Sequence, residues 1–299
     1  MRNSIALGMV ALALSGGAVA ARAQTPRLIT PAELQRLADS TPVRVLDVRQ
    51  SWVSYLQKHL PNAAWLNIET LRAQNAELPF QLLPAEHYAE LFRRLSLDPT
   101  RPIAVYSAGD QLDIDATFVC WLLASAGARR VYLLDGGYAR WEVENRPLTQ
   151  AYPRWTAGGP AFRPGEFHPA VASLEDVRSA ALGLSGAQLV DARPPEQYAG
   201  SAGAQARRGH IPGAVNHPWK DDLEKNDLVL MWKSVEALRA SYQAQAITPE
   251  RDIIVYCNSG TEASHVFFAL RYLLGYPRVR IFTGSWTQWA EREDLPIEQ

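Results

Sequence analysis

Cys257 is the residue whose type and setting most plainly offer chemistry. It follows the apolar run Ile253-Ile254-Val255-Tyr256 and opens Asn258-Ser259-Gly260-Thr261-Glu262, after which Ala263–Leu270 reads as an amphipathic helix. A thiol is thereby set between a strand end and a helix N-terminus. Helix N-termini leave backbone N–H groups unpaired and carry partial positive charge. Successive turn amides can also form a concave cradle for an anion. A thiolate in such a place is stabilised, so a pKa below the free value of about 8.5 is expected. Gly260 lets the turn curl without a Cβ clash. The ionised sulfur is a nucleophile able to form a covalent intermediate. The amides of Asn258 to Ala263, with the hydroxyls of Ser259 and Thr261, are the expected donors to charge on the reacting group. A thiol ionised at rest needs no separate base. Glu262 is out of character in an anion site: it is expected to pair with a nearby Arg, to cap a backbone N–H, or to disfavour dianionic ligands by like-charge repulsion.

The elements that must hold this turn occur twice. Val45-Leu46-Asp47-Val48-Arg49 answers Leu189-Val190-Asp191-Ala192-Arg193, and His59-Leu60-Pro61-Asn62-Ala63 answers His210-Ile211-Pro212-Gly213-Ala214. Ile103–Ser107 answers Ile253–Cys257, and Leu134–Tyr138 with Trp141 answers Phe282–Trp286 with Trp289. The offsets are 144, 151, 150 and 148 residues, so order is kept while loop lengths change. A repeat this long is a duplicated domain, not a solenoid unit. Residues 28–148 and 169–299 are the expected domains, and 149–168, with Tyr152-Pro153, Gly158-Gly159-Pro160 and Pro164-Gly165, the irregular linker. Strands are predicted over Arg44–Val48, Ile103–Ser107, Val131–Leu134, Gln188–Asp191, Asp252–Tyr256 and Arg278–Phe282. Helices are predicted over Pro31–Ala38, Ala85–Leu95, Asp115–Ala126, Ser173–Leu182, Ser234–Gln245 and Glu262–Leu274. Thr30 and Ser173 stand before two of these as hydroxyl caps, each followed by an early acid. Strands alternating with helices imply a parallel sheet covered on both faces, with ligands at the strands' carboxyl ends. That rule points to the turns after Tyr106 and Tyr256.

Composition narrows the rest. The chain has 299 residues, is 47% hydrophobic and 20% charged, and balances 30 Lys+Arg against 31 Asp+Glu for a net charge of -1. Such balance argues against a nucleic-acid protein acting through bulk charge. Two Cys exclude a disulfide-rich scaffold and a Cys-based zinc cluster. Cys120, in the apolar run Thr117–Leu123, reads as core packing, and no bridge to Cys257 is expected. The six His show no ligand spacing and no nucleotide-binding Gly fingerprint precedes a helix, so neither metal nor cofactor is expected. Residues 1–23, with Arg2 before the short apolar run Ile5–Ala21 and small-x-small sites at Ala18–Ala20 and Ala21–Ala23, read as a secretory signal peptide. The mature protein is therefore expected to be periplasmic or secreted and free of the membrane.

With these motifs together, the mature chain resembles the tandem-domain rhodanese sulfurtransferases, which include thiosulfate and 3-mercaptopyruvate types. The resemblance rests on Asp191-Ala192-Arg193, Gly209–Ala214, the Cys257 loop, and Phe282–Trp286 before Trp289. It implies an α/β fold of two rhodanese-like domains, each a parallel sheet with helices on both faces. It implies a catalytic second domain and an inactive first one, where Ser107 holds the Cys position and Ser107-Ala108-Gly109-Asp110 is a relic turn. It further implies that Cys257 attacks the sulfane sulfur of a donor, carries it as a persulfide and passes it to cyanide, a small thiol or a protein thiol. Asn258, Ser259, Gly260, Thr261, Glu262, Ala263 and Arg193 are the implied substrate contacts, although Arg193 in this motif also serves to tie loops by ion pairing. His210 is expected to hydrogen-bond backbone, and Trp286, Trp289 and His265 to pack.

The sequence departs from both types. Thiosulfate enzymes carry cations in the loop, where this chain has Asn258 and Ser259. The substrate Arg that precedes the aromatic after Asp-x-Arg is Gln197 here, leaving Arg207 and Arg208 as candidates to supply the charge. The serine–histidine–aspartate relay of mercaptopyruvate enzymes finds Ser259, but Gln81 and Asn67 stand at the other two places. A slow persulfide carrier or binding module is the alternative function. A phosphatase loop of the Cys-x5-Arg kind is excluded, because Ala263 stands where the Arg would be.

Overall fold

The computed structural model describes residues 26–75, 78–109, 114–156, 158–227 and 229–299. The leader expected at 1–23 and Asp110 of the relic turn lie outside these residues.

Thirteen described strands and ten α-helices alternate along the chain. The first domain runs β1 (Arg27–Ile29), α1 (Pro31–Ser40), β2 (Arg44–Asp47), α2 (Trp52–Gln57), β3 (Ala63–Trp65), the hairpin β4 (Arg72–Asn75) and β5 (Leu78–Leu82), α3 (Ala85–Arg94), β6 (Ile103–Tyr106), α4 (Asp115–Ser125), β7 (Val131–Leu134) and α5 (Gly137–Val143). The second runs α6 (Leu174–Ala181), β8 (Gln188–Asp191), α7 (Pro195–Tyr198), β9 (Val215–Asn216), the hairpin β10 (Leu223–Asn226) and β11 (Val229–Trp232), α8 (Val235–Ala244), β12 (Ile253–Tyr256), α9 (Thr261–Phe267), β13 (Val279–Ile281) and α10 (Ser285–Ala290). The sheets have strand orders β1-β7-β6-β2-β3 and β13-β12-β8-β9, and every pair within them is parallel. β6 and β12 are inner strands buried along their whole length, which is why Ile103–Tyr106 and Ile253–Tyr256 read as continuous apolar runs.

The predicted strands and helices recur with ends moved by a residue or two. Thr30 and Ser173 both close capping boxes, with Glu33 and Asp176, each cap being worth about 1 kcal/mol. Two larger differences have physical reasons. The helix expected over Glu262–Leu274 widens after α9 into π geometry over Phe268–Leu273, where the Leu274 amide reaches back to the Ala269 carbonyl. The hairpins β4–β5 and β10–β11 went unread because their strands are short and half-exposed, with little alternation to betray them. The linker is irregular but fastened to the first domain. The Trp155 indole donates to Asn62 at 2.8 Å, Arg44 donates to the Thr156 carbonyl at 3.0 Å, and Phe162 packs on Phe92 with ring centres 4.9 Å apart.

The domains meet through the helices that follow their central strands. α4 lies against α9, with the Thr117 and Ser264 hydroxyls 2.9 Å apart and Trp121 edge-on to Phe267. One hydrophobic cluster continues from Leu46 and Val105 through Trp121 to Val255, Phe267 and Phe268. Each hairpin crosses toward the other domain: the Leu230 amide donates to the Gly109 carbonyl, and Arg72 donates to Thr261 Oγ1 at 2.7 Å.

Candidate active site

β12 delivers Cys257 to the carboxyl edge of the second sheet, and α9 begins four residues later. Gly260 makes the turn possible: its φ of +89° lies in the left-handed region, where a side chain would be strained. The curl points the Gly260 N–H at Cys257 Sγ, 3.0 Å away. The amides of Ser259 and Ala263 also bond the sulfur. From behind, the Cys257 amide donates to Ser285 Oγ and its carbonyl accepts from the Trp286 amide, which locks the turn to the start of α10. Of the amides expected to cradle the sulfur, the structure brings Ser259, Gly260 and Ala263 to it.

Cys257 is 1% exposed. Burial first, and the adjacent Glu262 carboxylate second, push its thiol up to about 11, against the downward pull of the three amides. The expectation of a thiol ionised at rest is thereby corrected. Amide dipoles stabilise a thiolate, but removing the sulfur from water and facing it with a carboxylate costs more than they return. Glu262 is perturbed in turn. Burial and Asp191 raise it to about 7, opposed by Arg193, by the Trp219 indole and by the Cys257 thiol. Thiol and carboxyl thus share one partly water-free niche.

Arg193 lies beneath this niche and is fully engaged. Its guanidinium forks onto Asp191 at 2.9 and 2.6 Å, donates to the Gly209 carbonyl at 2.8 Å and sits 4.6 Å from the centre of the Trp286 ring. At 1% exposure it ties loops together and contributes field to Cys257 and Glu262; it offers no free face to a substrate. Asn258 turns away from the sulfur to donate to Gln197 Oε1 at 2.8 Å, so the residue standing at the family's substrate-Arg position holds the loop. Ser259 is part-exposed beside the sulfur. Thr261 is buried and accepts from Arg72.

His210 bonds the Tyr198 carbonyl through Nδ1 and stacks on its ring, and Trp286 and Trp289 are buried as packing groups. His265 is buried on α9, stacked on Trp232 at 4.1 Å, with Nδ1 3.5 Å from Asp222. Asp222 also accepts from Tyr242 at 2.9 Å and is 3.0 Å from His217. This buried polar cluster was not singled out by sequence reasoning, since its members are scattered along the chain.

One expectation about charge fails: the Arg207 guanidinium is held by the carbonyls of Arg292 and Leu295 near the C-terminus. The cation that does reach the loop is Arg72, from the first domain. Its side chain is 5% exposed, bonded to Glu69 and Thr261 and close to the Phe80 and Phe118 rings, while its Nε has no partner among the described residues. Only the inter-domain fold identifies it. Asn67 caps a 3-10 turn and Gln81 donates to the Pro79 carbonyl, so neither joins Ser259 in a relay. Among the described residues there is no cluster of potential metal ligands.

Comparison with known proteins places this geometry in a family. Residues 30–144 and 175–292 each match the Rhodanese-like domain. The chain is 32% identical over 281 residues to the Sulfur carrier protein TtuD of Thermus thermophilus, covering 90% of this chain and 95% of that one. It is 29% identical over 276 residues to a thiosulfate sulfurtransferase of Azotobacter vinelandii, covering 92% and 98%. The crystal structure of the Escherichia coli 3-mercaptopyruvate sulfotransferase SseA superposes with a TM-score of 0.73 at 29% identity, over 87% of this chain and 98% of that one. The chain belongs to the rhodanese family, as a two-domain sulfurtransferase.

Proposed function

We propose that Cys257 carries the transferred sulfur as a persulfide, taking it from a small donor and giving it to a thiophilic acceptor such as cyanide, a small thiol or a protein thiol. The observation behind this is the convergence of the Ser259, Gly260 and Ala263 amides on Cys257 Sγ. Preorganised amides favour the negative charge that a sulfur transfer develops on the persulfide and the departing group. For the donor, the loop supplies no cation at Asn258 or Ser259 and sets Glu262 beside the sulfur. That supports a singly charged thiol donor of the 3-mercaptopyruvate class over dianionic thiosulfate. The buried, protonated thiol supports a second reading, a slow carrier that holds one sulfur for a protein acceptor, in keeping with the carrier named among the relatives.

Steady-state thiocyanate production from cyanide with each donor tests both readings, alongside intact-mass measurement after donor treatment. The enzyme reading expects turnover favouring 3-mercaptopyruvate; one sulfur per chain with poor turnover supports the carrier. A sulfur adduct that persists in Cys257→Ser refutes both. Export is part of the same proposal, supported by the leader-like pattern of residues 1–23 and tested by the N-terminal sequence of the mature protein.

A further inference from the structure

Arg72 holds a buried charge whose hydrogen bonds are incomplete. It opens β4, and its side chain is almost wholly buried. Nη1 donates to Thr261 Oγ1 at 2.7 Å, which ties the guanidinium to the residue after Gly260, whose own N–H meets Cys257 Sγ at 3.0 Å. Nη2 donates to Glu69, and Nε, on the same edge of the guanidinium, has no partner among the described residues. That edge is the fork by which an arginine takes a carboxylate side-on. Arg49 and Arg193 each fill it, with Asp47 and Asp191. In Arg72 it is half filled, and a buried donor left unpaired is costly. The group that half fills it is loosely held: the Glu69 side chain is 55% exposed and stands on a single 3-10 turn. The hairpin is bent to shape this place. Its register slips between Ala73 and Asn75, and Phe80 takes a left-handed φ of +58°, an outlier for an aromatic residue. The Phe80 and Phe118 ring centres come to 4.7 and 5.4 Å from the guanidinium carbon. Rings so placed keep water from the charge and strengthen pairing at its edge, and backbone held in such conformations gathers at ligand sites.

The geometry points to the Nε–Nη2 edge of Arg72 as the receptor for the carboxylate of the sulfur donor, with Glu69 as an internal carboxylate that occupies it until the donor arrives. This rests on Cys257 being the sulfur carrier. The donor class is a small thiol with a carboxylate a few bonds from its sulfur, as in 3-mercaptopyruvate. On binding, Glu69 swings into water and the donor's two carboxylate oxygens take Nη2 and the vacant Nε. Nη1 stays on Thr261, so the anionic end of the donor is registered against the loop that holds the sulfur. Asn258, Ser259 and Gln197 bring no cation to that loop, and Arg193 is closed on Asp191. The first domain therefore supplies the charge that the second domain's own loop lacks.

The test measures the donor concentration giving half-maximal single-turnover loading of Cys257, read by intact mass, for the wild type, Arg72→Gln, Glu69→Gln and Cys257→Ser. The donors are 3-mercaptopyruvate and mercaptoacetone, which carries a methyl group in place of the carboxylate. Arg72→Gln is expected to raise the 3-mercaptopyruvate value about tenfold and to leave the mercaptoacetone value unchanged. Glu69→Gln should lower the 3-mercaptopyruvate value severalfold, because the competing carboxylate is gone. A merely structural ion pair predicts the opposite, since losing Glu69 would then loosen the site. Equal shifts for the two donors in Arg72→Gln, or a 3-mercaptopyruvate value unchanged or raised in Glu69→Gln, confine Arg72 to packing and overturn the inference. If Arg72→Gln does not fold, or the methyl analogue does not load, the Glu69→Gln value decides alone. A wild type that 3-mercaptopyruvate fails to load overturns the inference too, while loading by thiosulfate would keep the carrier assignment. A sulfur adduct on Cys257→Ser would instead sink the carrier assignment itself.

Discussion

The turns after Tyr106 and Tyr256 occupy corresponding places and differ in a few decisive ways. Around both, the scaffold is the same. Asp47–Arg49 and Asp191–Arg193 are buried forked ion pairs, and Tyr106 and Tyr256 accept the Leu60 and Ile211 amides. Tyr55–His59 and Tyr198–His210 are matching stacks. Yet residues 107–114 separate strand from helix in the first domain, against 257–260 in the second, so α4 begins farther along the chain from Ser107 than α9 does from Cys257. Ser107 is buried and its hydroxyl has no partner among the described residues. Asp115 holds the place of Glu262 relative to the Thr117–Ser264 contact, and burial raises it to about 6. Deeper in, His217, Asp222, Tyr242 and His265 correspond to Leu66, Leu71, Phe92 and Phe118, all in the apolar core. Fold and ion pair alone therefore do not make the site. The short turn, the thiol and the polar groups behind it do, and the second domain accepts a costlier interior to have them.

Substitutions that make the domains more alike, or more different, break or sharpen this contrast. Cys257→Ser should abolish sulfur loading, and adding Ser107→Cys should not restore it, because α4 begins farther along the chain from position 107 than α9 does from Cys257. A sulfur adduct on the double variant, read by intact mass, would mean that the first domain keeps the machinery. Asp47→Asn and Asp191→Asn should each cost about 3–5 kcal/mol by stranding a buried guanidinium, measured by urea unfolding. Only Asp191→Asn should also lower the Cys257 thiol titration, since an unpaired Arg193 would then face it. Arg72→Gln removes the charge that the first domain lends to the loop. The donor KM should rise about tenfold, or about 1.4 kcal/mol, with folding retained; an unchanged KM would confine Arg72 to packing.

The smallest effect is in the pH dependence of stability. Against burial, which alone would lower it, Asp222 and Gln245 hold His217 above its ordinary 6.5. Against burial, which alone would raise it, His217 and His265 hold Asp222 below its ordinary 3.8. The histidine's contribution is complete below 6.5 and fades as pH rises through the raised value; the carboxylate's is complete above 3.8 and fades as pH falls through the lowered one. The Tm advantage of wild type over His217→Gln should therefore be largest between those limits and shrink by about 2–4 °C on the alkaline side. The matching Leu66→Ala loss should be flat with pH.

The doubling, the parallel sheets and the Cys257 turn were all legible because they rest on local signals: apolar runs, caps and a glycine before a helix. What stayed hidden depends on distant residues meeting. Arg72 is an unremarkable residue in the sequence, and only the fold brings its buried side chain to Thr261 of the other domain. The direction of the thiol's pKa could not be read either. The helix start and Gly260 are local, but the burial of the thiol and the charges around Glu262 come from the fold, with Trp219, Asp191 and Arg193 tens of residues away.

The contact of α4 with α9 has a consequence for how this protein can be dismantled. Trp121, Phe118, Phe267 and Phe268 belong to a single apolar mass shared by both halves, so neither half owns a complete interior. A catalytic half expressed by itself would present that greasy seam to water and would tend to aggregate, and heating the intact chain should melt both halves in one calorimetric peak. An ancestral duplication that fused its copies along such a seam has tied their fates: the copy with a serine in place of the strand-end thiol persists as the other's second wall.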